Sequence, residues 1–278
     1  MWRPAAPTQP PHGPSGTGLA SFVGRRGARH SRTLGARPRG AVAKALRMTV
    51  EACEPGFIEG PGPHYNQPRR QLKPGPIGSF SDRTYTVAGS EDSIIAAVKN
   101  RVRLMSFILR PVDKLVETFD VYNNLWRETW DDEPMPICIN VNMYCHEDGA
   151  VAHARMYEYL GNFWKQNVDH YEFLGNHFAT QKGYERYAEK AAALREKGVE
   201  QAGRDYADAA LSGTPDEMIE KLAWIHGIMG QYELVVAPAF GGMPHAMAED
   251  SLRLFAEKVA PVVREQYDVR VADGQLVR

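Results

Sequence analysis

The sequence predicts an α/β fold built on a parallel sheet of about four strand–helix units. Short apolar runs of strand length alternate along the chain with segments whose apolar residues recur every three or four positions. Strands separated by helices of this length pair in parallel, through crossover connections. Runs such as Leu234-Val235-Val236 are apolar at consecutive positions, as expected of a sheet covered on both faces. Periodicity alone leaves open a doubly wound sheet or a closed barrel.

The first protein-like pattern starts at Ala41, where Val42, Ala45, Leu46, Thr49 and Val50 recur at helical spacing up to Ala52. Gly and Pro dominate Pro55 to Gly78, which reads as loop or hairpin with short extended pieces such as His64-Tyr65-Asn66, because a residue before proline is pushed out of the helical region. Tyr85-Thr86-Val87-Ala88 reads as a strand, followed by a helix with Ile94, Ile95, Val98 and Val102 on one face. Met105 to Leu109 is a buried-type strand, and Leu115, Phe119, Tyr122 and Trp126 form the stripe of the next helix. Ile137 to Tyr144 is a long strand, followed by a helix through Met156, Leu160, Phe163 and Trp164 and an insertion of helical segments.

Thr214-Pro215-Asp216-Glu217 is a capping box, with Thr214 as N-cap and Glu217 at the third helical position. Met218, Leu222, Ile225 and Met229 continue that helix on one face, and Gly230 stops it. Tyr232 to Ala237 is the fourth strand, and a last helix places Leu252, Phe255, Val259 and Val262 on one side.

Charge divides the chain in two. The 33 basic and 34 acidic residues give a formal net charge of -1, which advertises no nucleic-acid or membrane surface. Yet no acidic residue precedes Glu51, and residues 1–40 are rich in Pro, Gly and Arg without periodicity. That stretch is expected to be disordered and to stand outside the fold, which occupies 41–278. It fits a transit peptide, a basic arm, or a misassigned start or frame; the third is preferred. A nucleic-acid role for the arm is disfavoured because stacking aromatics are nearly absent. Three cysteines, Cys53, Cys138 and Cys145, form no CxxC pair and make a poor disulfide framework. No apolar run approaches the roughly 18 residues a spanning helix needs. The chain is expected to be soluble and cytoplasmic, with no membrane partner.

Val87-Ala88-Gly89-Ser90-Glu91-Asp92-Ser93 is the most informative local feature, since a strand ends, a Gly-Ser turn follows and a helix begins. Helix N-termini present unpaired amides and a partial positive charge, which suit a phosphate. Gly89 lets a ligand approach the backbone, and Ser90 and Ser93 add hydroxyls. Taken on the residues alone, the cap reading is the stronger: Ser90 caps its own helix, and Glu91 and Asp92 suit the dipole without any ligand. Phe240-Gly241-Gly242-Met243-Pro244-His245, after the fourth strand, either lines a pocket or is a plain turn with Pro244 opening the helix. His245 reads as a surface residue. Cys145-His146-Glu147-Asp148 gathers metal-capable side chains without ligand spacing, so no metal is expected. His153, His170 and His177 lie in helical surroundings and read as surface or core residues, and no catalytic acid or base is visible.

Several segments together resemble the luciferase-like flavin-dependent monooxygenases. These are Gly56 to Tyr65, the strand-Gly-Ser-helix at 85–98, Gly213-Thr214-Pro215-Asp216-Glu217, Tyr232 to Ala237, Gly241-Gly242-Met243-Pro244, and Ser251 to Pro261. The similarity runs from about Ala41 to about Glu265. It implies a (β/α)8 TIM barrel that binds FMN as reduced flavin, or a deazaflavin in some branches. It also implies an organic substrate and O2 as reactants and a separate flavin reductase as a partner. In that family the turn after the fifth strand holds the flavin phosphate, which falls here on Gly89, Ser90 and Ser93 and shifts the weight toward the ligand reading. The family carries an acidic residue at this turn where this chain has Gly89.

Only four strands are legible, all matching the second half of such a barrel. The expected fold is therefore a partial (β/α)8 barrel of about four C-terminal βα units. An open half leaves edges unpaired and its inner apolar layer exposed. Weak flavin binding and little turnover are the expected result, with a homodimer of two halves as the rescue. The rival function is a non-catalytic remnant or interaction protein that keeps the half barrel as a scaffold.

Overall fold

The prolines that keep helix out of 55–78 leave extended backbone there, and the chain uses it for a hairpin. The computed structural model describes residues 39–62, 65–175 and 185–267, which all belong to one compact unit, Pro38–Arg278. Helix α1 (Arg39–Cys53) precedes that hairpin, in which β1 (Phe57–Gly60) runs antiparallel to β2 (Gln67–Gln71). The alternating part follows as β3 (Tyr85–Val87), α2 (Glu91–Lys99), β4 (Arg103–Phe107), α3 (Val116–Trp130) and β5 (Ile137–Cys145). An insertion contains α4 (Gly149–His170), α5 (Glu185–Lys197) and α6 (Val199–Ala209) and ends in a short strand, β6 (Leu211–Gly213). Then come α7 (Pro215–Met229), β7 (Tyr232–Ala237) and α8 (His245–Leu254), whose path continues through a π-turn at Phe255–Val259 into α9 (Ala260–Tyr267). Of residues 1–40, expected to stand outside the fold, only Arg39 and Gly40 are described, and both are in α1.

β3, β4, β5 and β7 lie side by side in chain order, and all are parallel. β6 pairs with Met143–Cys145 at the end of β5. Alternate residues of a strand direct their backbone groups to opposite flanks. Asn140 accepts from Ile108, just past β4, and His146 donates to Gly213, so β6 extends the sheet on the β4 flank. A doubly wound sheet would reverse its strand order at a switch point. Apart from the short β6, the order from β3 through β4 and β5 to β7 does not reverse, which is the barrel type of winding.

Side chains alternate between two faces, as the pleat requires. Leu104, Ile108, Ile139, Val141, Met143 and Cys145 pack with Val98 of α2, Tyr122 and Trp126 of α3, and Met218 and Leu222 of α7. The intervening residues, Arg103, Met105, Phe107, Cys138, Asn140, Asn142, Glu233 and Val235, therefore face the inside of the curl. The degree of curl is visible in one bond: Tyr85 of β3 donates to Glu233 of β7 at 2.6 Å, across the two strands between them. Arg103 joins this floor, with Nη1 2.7 Å from Glu233 Oε1 and 2.9 Å from the Tyr85 hydroxyl. A charged first residue hid the true start of β4, expected at Met105; Arg103 is tolerated there because Glu233 neutralises it inside the curl.

A second buried cluster joins Tyr144 to Met156 and Leu160 of α4, Tyr206 of α6, and Phe240 and Met243 of the turn after β7. The insertion thus caps the C-terminal end of β5. Below it the inner face is open, with Val87 55%, Phe107 48% and Val235 40% exposed. Among the described residues no helix is long and apolar enough to cross a membrane.

Candidate functional site

Parallel α/β folds place ligands at the C-terminal ends of their strands, and the turn from β3 into α2 is at that end. Gly89 and Ser90 are exposed there, and a Cβ built on Gly89 meets nothing within 4 Å. Ser90 is the N-cap of α2, its Oγ accepting from the Ser93 amide at 3.4 Å while Ser93 Oγ accepts from the Ser90 amide at 3.0 Å. The two hydroxyls are 2.9 Å apart, and Ser93 Oγ also donates to the Ser90 carbonyl at 2.7 Å. All three expected residues thus share one turn. The serines are engaged as a reciprocal cap, as the residues alone suggested, and a phosphate has open space over Gly89. Rotation of either hydroxyl frees it for an oxyanion, while the carboxylates of Glu91 and Asp92 in the first turn oppose one.

The inside of the curl holds polar groups that the sequence reading passed over. On the floor, burial together with the hydrogen bond to Glu233 raises the Tyr85 phenol to about 12, and burial followed by the nearby Glu233 charge raises the Cys138 thiol. Nearer the C-terminal end, Asn142 is 9% exposed, and its Oδ1 accepts from the Tyr206 hydroxyl at 2.7 Å. Burial lifts the Tyr206 phenol to about 12, so it stays protonated and keeps donating. One signal was available. Asn140 and Asn142 alternate with Ile139, Val141 and Met143 along the predicted strand, and that period of two puts both amides on the face opposite the apolar residues.

The remaining candidates resolve into local structure. Gly241 has φ +59°, and a Cβ there would lie 1.7 Å from the Tyr159 carbonyl oxygen, so this glycine of the turn after β7 is pressed onto α4, while Gly242 beside it is exposed. Pro244 is the residue before α8, and His245 is exposed in its first turn. Asp148 caps α4 by accepting from Ala150 and Val151, and His146 Nδ1 accepts from the Asp148 amide at 3.0 Å. His170 is exposed at the end of α4, and His177 lies outside the described residues.

A cavity of about 400 Å³ lies between α4, α6 and α7, lined by His153, Tyr157, Asp208, Ser212, Glu217 and Lys221 among others. Its groups pair with one another. His153 Nδ1 is 3.2 Å from Ser212 Oγ, Tyr157 donates to Asp208, and Lys221 donates to the Asp208 and Ala210 carbonyls at the end of α6.

The family model for luciferase-like monooxygenases matches residues 23–231. It begins upstream of the resemblance read from about Ala41, and it ends before the Gly241–Pro261 segment. No curated protein matches the chain. Among solved structures, a coenzyme F420 dependent tetrahydromethanopterin reductase from Methanopyrus kandleri is 15% identical, with a TM-score of 0.52 over 79% of this chain and 63% of the reductase. The monooxygenase RslO1 from Streptomyces bottropensis is 22% identical, with a TM-score of 0.48 over 80% of this chain and 60% of that one. The oxygenating constituent of 3,6-diketocamphane monooxygenase from Pseudomonas putida, solved with FMN, is 17% identical, with a TM-score of 0.48 over 79% and 60%. The chain thus spans about three fifths of the length of these structures. At such identities the reductase shows a shared fold and no more.

Proposed function

The chain belongs to the luciferase-like monooxygenase family, and from that premise we propose a flavin-dependent oxidoreductase. It would use reduced flavin, delivered by a separate reductase, and O2 on a small organic substrate. The bound flavin supplies the oxygen activation, while the protein orients it and keeps water out. The observation that carries this reading is the exposed Gly-Ser turn opening α2 at the C-terminal end of β3. In it, Gly89 admits the phosphate to the backbone, and Ser90 and Ser93 offer it hydroxyls at the positive end of the helix. FMN is the cofactor proposed. A deazaflavin is the alternative cofactor, and one that carries a phosphate on its side chain would engage the same turn.

Titration of the purified chain with FMN and with riboflavin tests this reading. The wild type is expected to prefer FMN by roughly tenfold or more, since hydrogen bonds to a charged group contribute about 1.5–3 kcal/mol. The Ser90→Ala, Ser93→Ala double variant is expected to lose that preference and keep its riboflavin affinity. Equal affinity of the wild type for both flavins would sink the phosphate site. Absolute affinity is expected to be low, because Val87, Phe107 and Val235 leave the inner face open. A preparation that stays yellow with stoichiometric flavin through purification would refute that part.

A further inference from the structure

We propose that Asn142 is a cofactor-positioning residue whose side-chain amide donates to a carbonyl oxygen on the ring system of the bound flavin. The inference rests on the flavin reading above. It adds a contact at the opposite end of the ligand from the Ser90 turn.

Asn142 lies on β5 in line with Cys138 and Asn140, on the face that looks into the curl, and it is nine-tenths buried. The Tyr206 hydroxyl donates to Oδ1. A primary amide has one acceptor atom and one donor atom. With Oδ1 committed to Tyr206, the two N–H groups of Nδ2 point away from α6, and among the described residues no group accepts from them. An amide held in one orientation by Tyr206, with its donor side left to the inside of the curl, favours a ligand that brings an acceptor.

The strand register says where that acceptor would be. Val87 pairs with Met105 and Met105 with Cys138, so these three residues share one level across β3, β4 and β5. Continued two residues past the end of β3, this register would put Gly89 level with Phe107 and Asn140, and Asn142 is the next inward-facing position toward the C-terminal mouth. Two strand spacings separate β3 from β5, about 10 Å. A phosphate at the Ser90 turn and a ring beside Asn142 are thus a ribityl chain apart. The pyrimidine edge of isoalloxazine carries two carbonyl oxygens, and deazaflavins keep the same edge. An amide offering only donors fits either one.

Riboflavin isolates the ring contact, because it lacks the phosphate. The full chain and the variants Asn142→Ala, Asn142→Asp and Tyr206→Phe are titrated with riboflavin and with FMN, following fluorescence quenching and the absorption spectrum of the bound flavin. Asn142→Ala is expected to weaken both ligands by the same factor, roughly tenfold, and to shift the bound spectrum. Asn142→Asp keeps the side-chain volume but turns a carboxylate oxygen on the carbonyl, so it is expected to bind more weakly than the alanine variant. Tyr206→Phe leaves Asn142 in place but frees its orientation, and an intermediate loss is expected. Urea midpoints near wild type in the aspartate and phenylalanine variants separate this role from a folding defect. If riboflavin affinity and spectrum are unchanged in both Asn142 variants while the wild type prefers FMN, the inference is overturned and the phosphate site stands. If the wild type binds neither flavin, the flavin reading fails and takes the inference with it.

Discussion

At Gly241 and Gly242 two different constraints act on neighbouring residues. A side chain at Gly241 would collide with the Tyr159 carbonyl, whereas one at Gly242 meets open space and is opposed only by its φ of +80°. Gly241→Ala is therefore expected to cost about 3 kcal/mol or more, as overpacking against rigid backbone adds to a left-handed conformation. Gly242→Ala is expected to cost about 1–2 kcal/mol. Urea unfolding of the two variants checks both; equal losses would mean that α4 gives way. The same scale shows how much of the site can be read from the chain. Gly89, Ser90 and Ser93 are legible because they are contiguous and obey a local capping rule. The Asn142–Tyr206 bond joins residues 64 apart and the Tyr85–Glu233 bond residues 148 apart. No local pattern foretells which polar side chains meet inside a curl.

The start of α7 shows local chemistry and structure in agreement. Thr214 accepts from the Glu217 amide at 3.3 Å, and Glu217 Oε2 accepts from the Thr214 amide at 2.7 Å. That backbone bond, with a smaller contribution from His153, holds the Glu217 carboxyl below the usual carboxylate range. A depressed folded value means that the contribution is complete above the ordinary carboxyl pKa and is lost as pH falls through the folded one. Glu217→Ala is expected to cost about 1 kcal/mol at neutral pH. The gap to wild type is expected to narrow below about pH 4, read from unfolding midpoints across pH; a constant gap would assign the loss to packing. Elements with periodic or capped sequences, such as α3, α7 and β7, were legible. β6 was not, because Leu211-Ser212-Gly213 is too short to show a period and exists only as a partner for the end of β5. The order of the strands, which decides barrel against open sheet, is a pairing property and leaves no mark on periodicity.

For the molecule as a whole, the inner face is the weak point. Its apolar residues Val87, Phe107 and Val235 are all substantially exposed. Exposed apolar patches bind dyes and partners, so the purified chain is expected to bind 8-anilinonaphthalenesulfonate. Phe107→Ser is expected to lower that signal while costing about 1 kcal/mol, since about half of the ring is buried. An unchanged signal would place the dye elsewhere. The Tyr85–Glu233 bond bears on this face in another way. During translation Tyr85 is made long before Glu233, and the contact that draws β3 toward β7 has no second half until β7 is made. A nascent chain can therefore lay down neighbouring strands one after another as they emerge, with their intrinsic twist, while this bond across the curl forms only after β7 has been made.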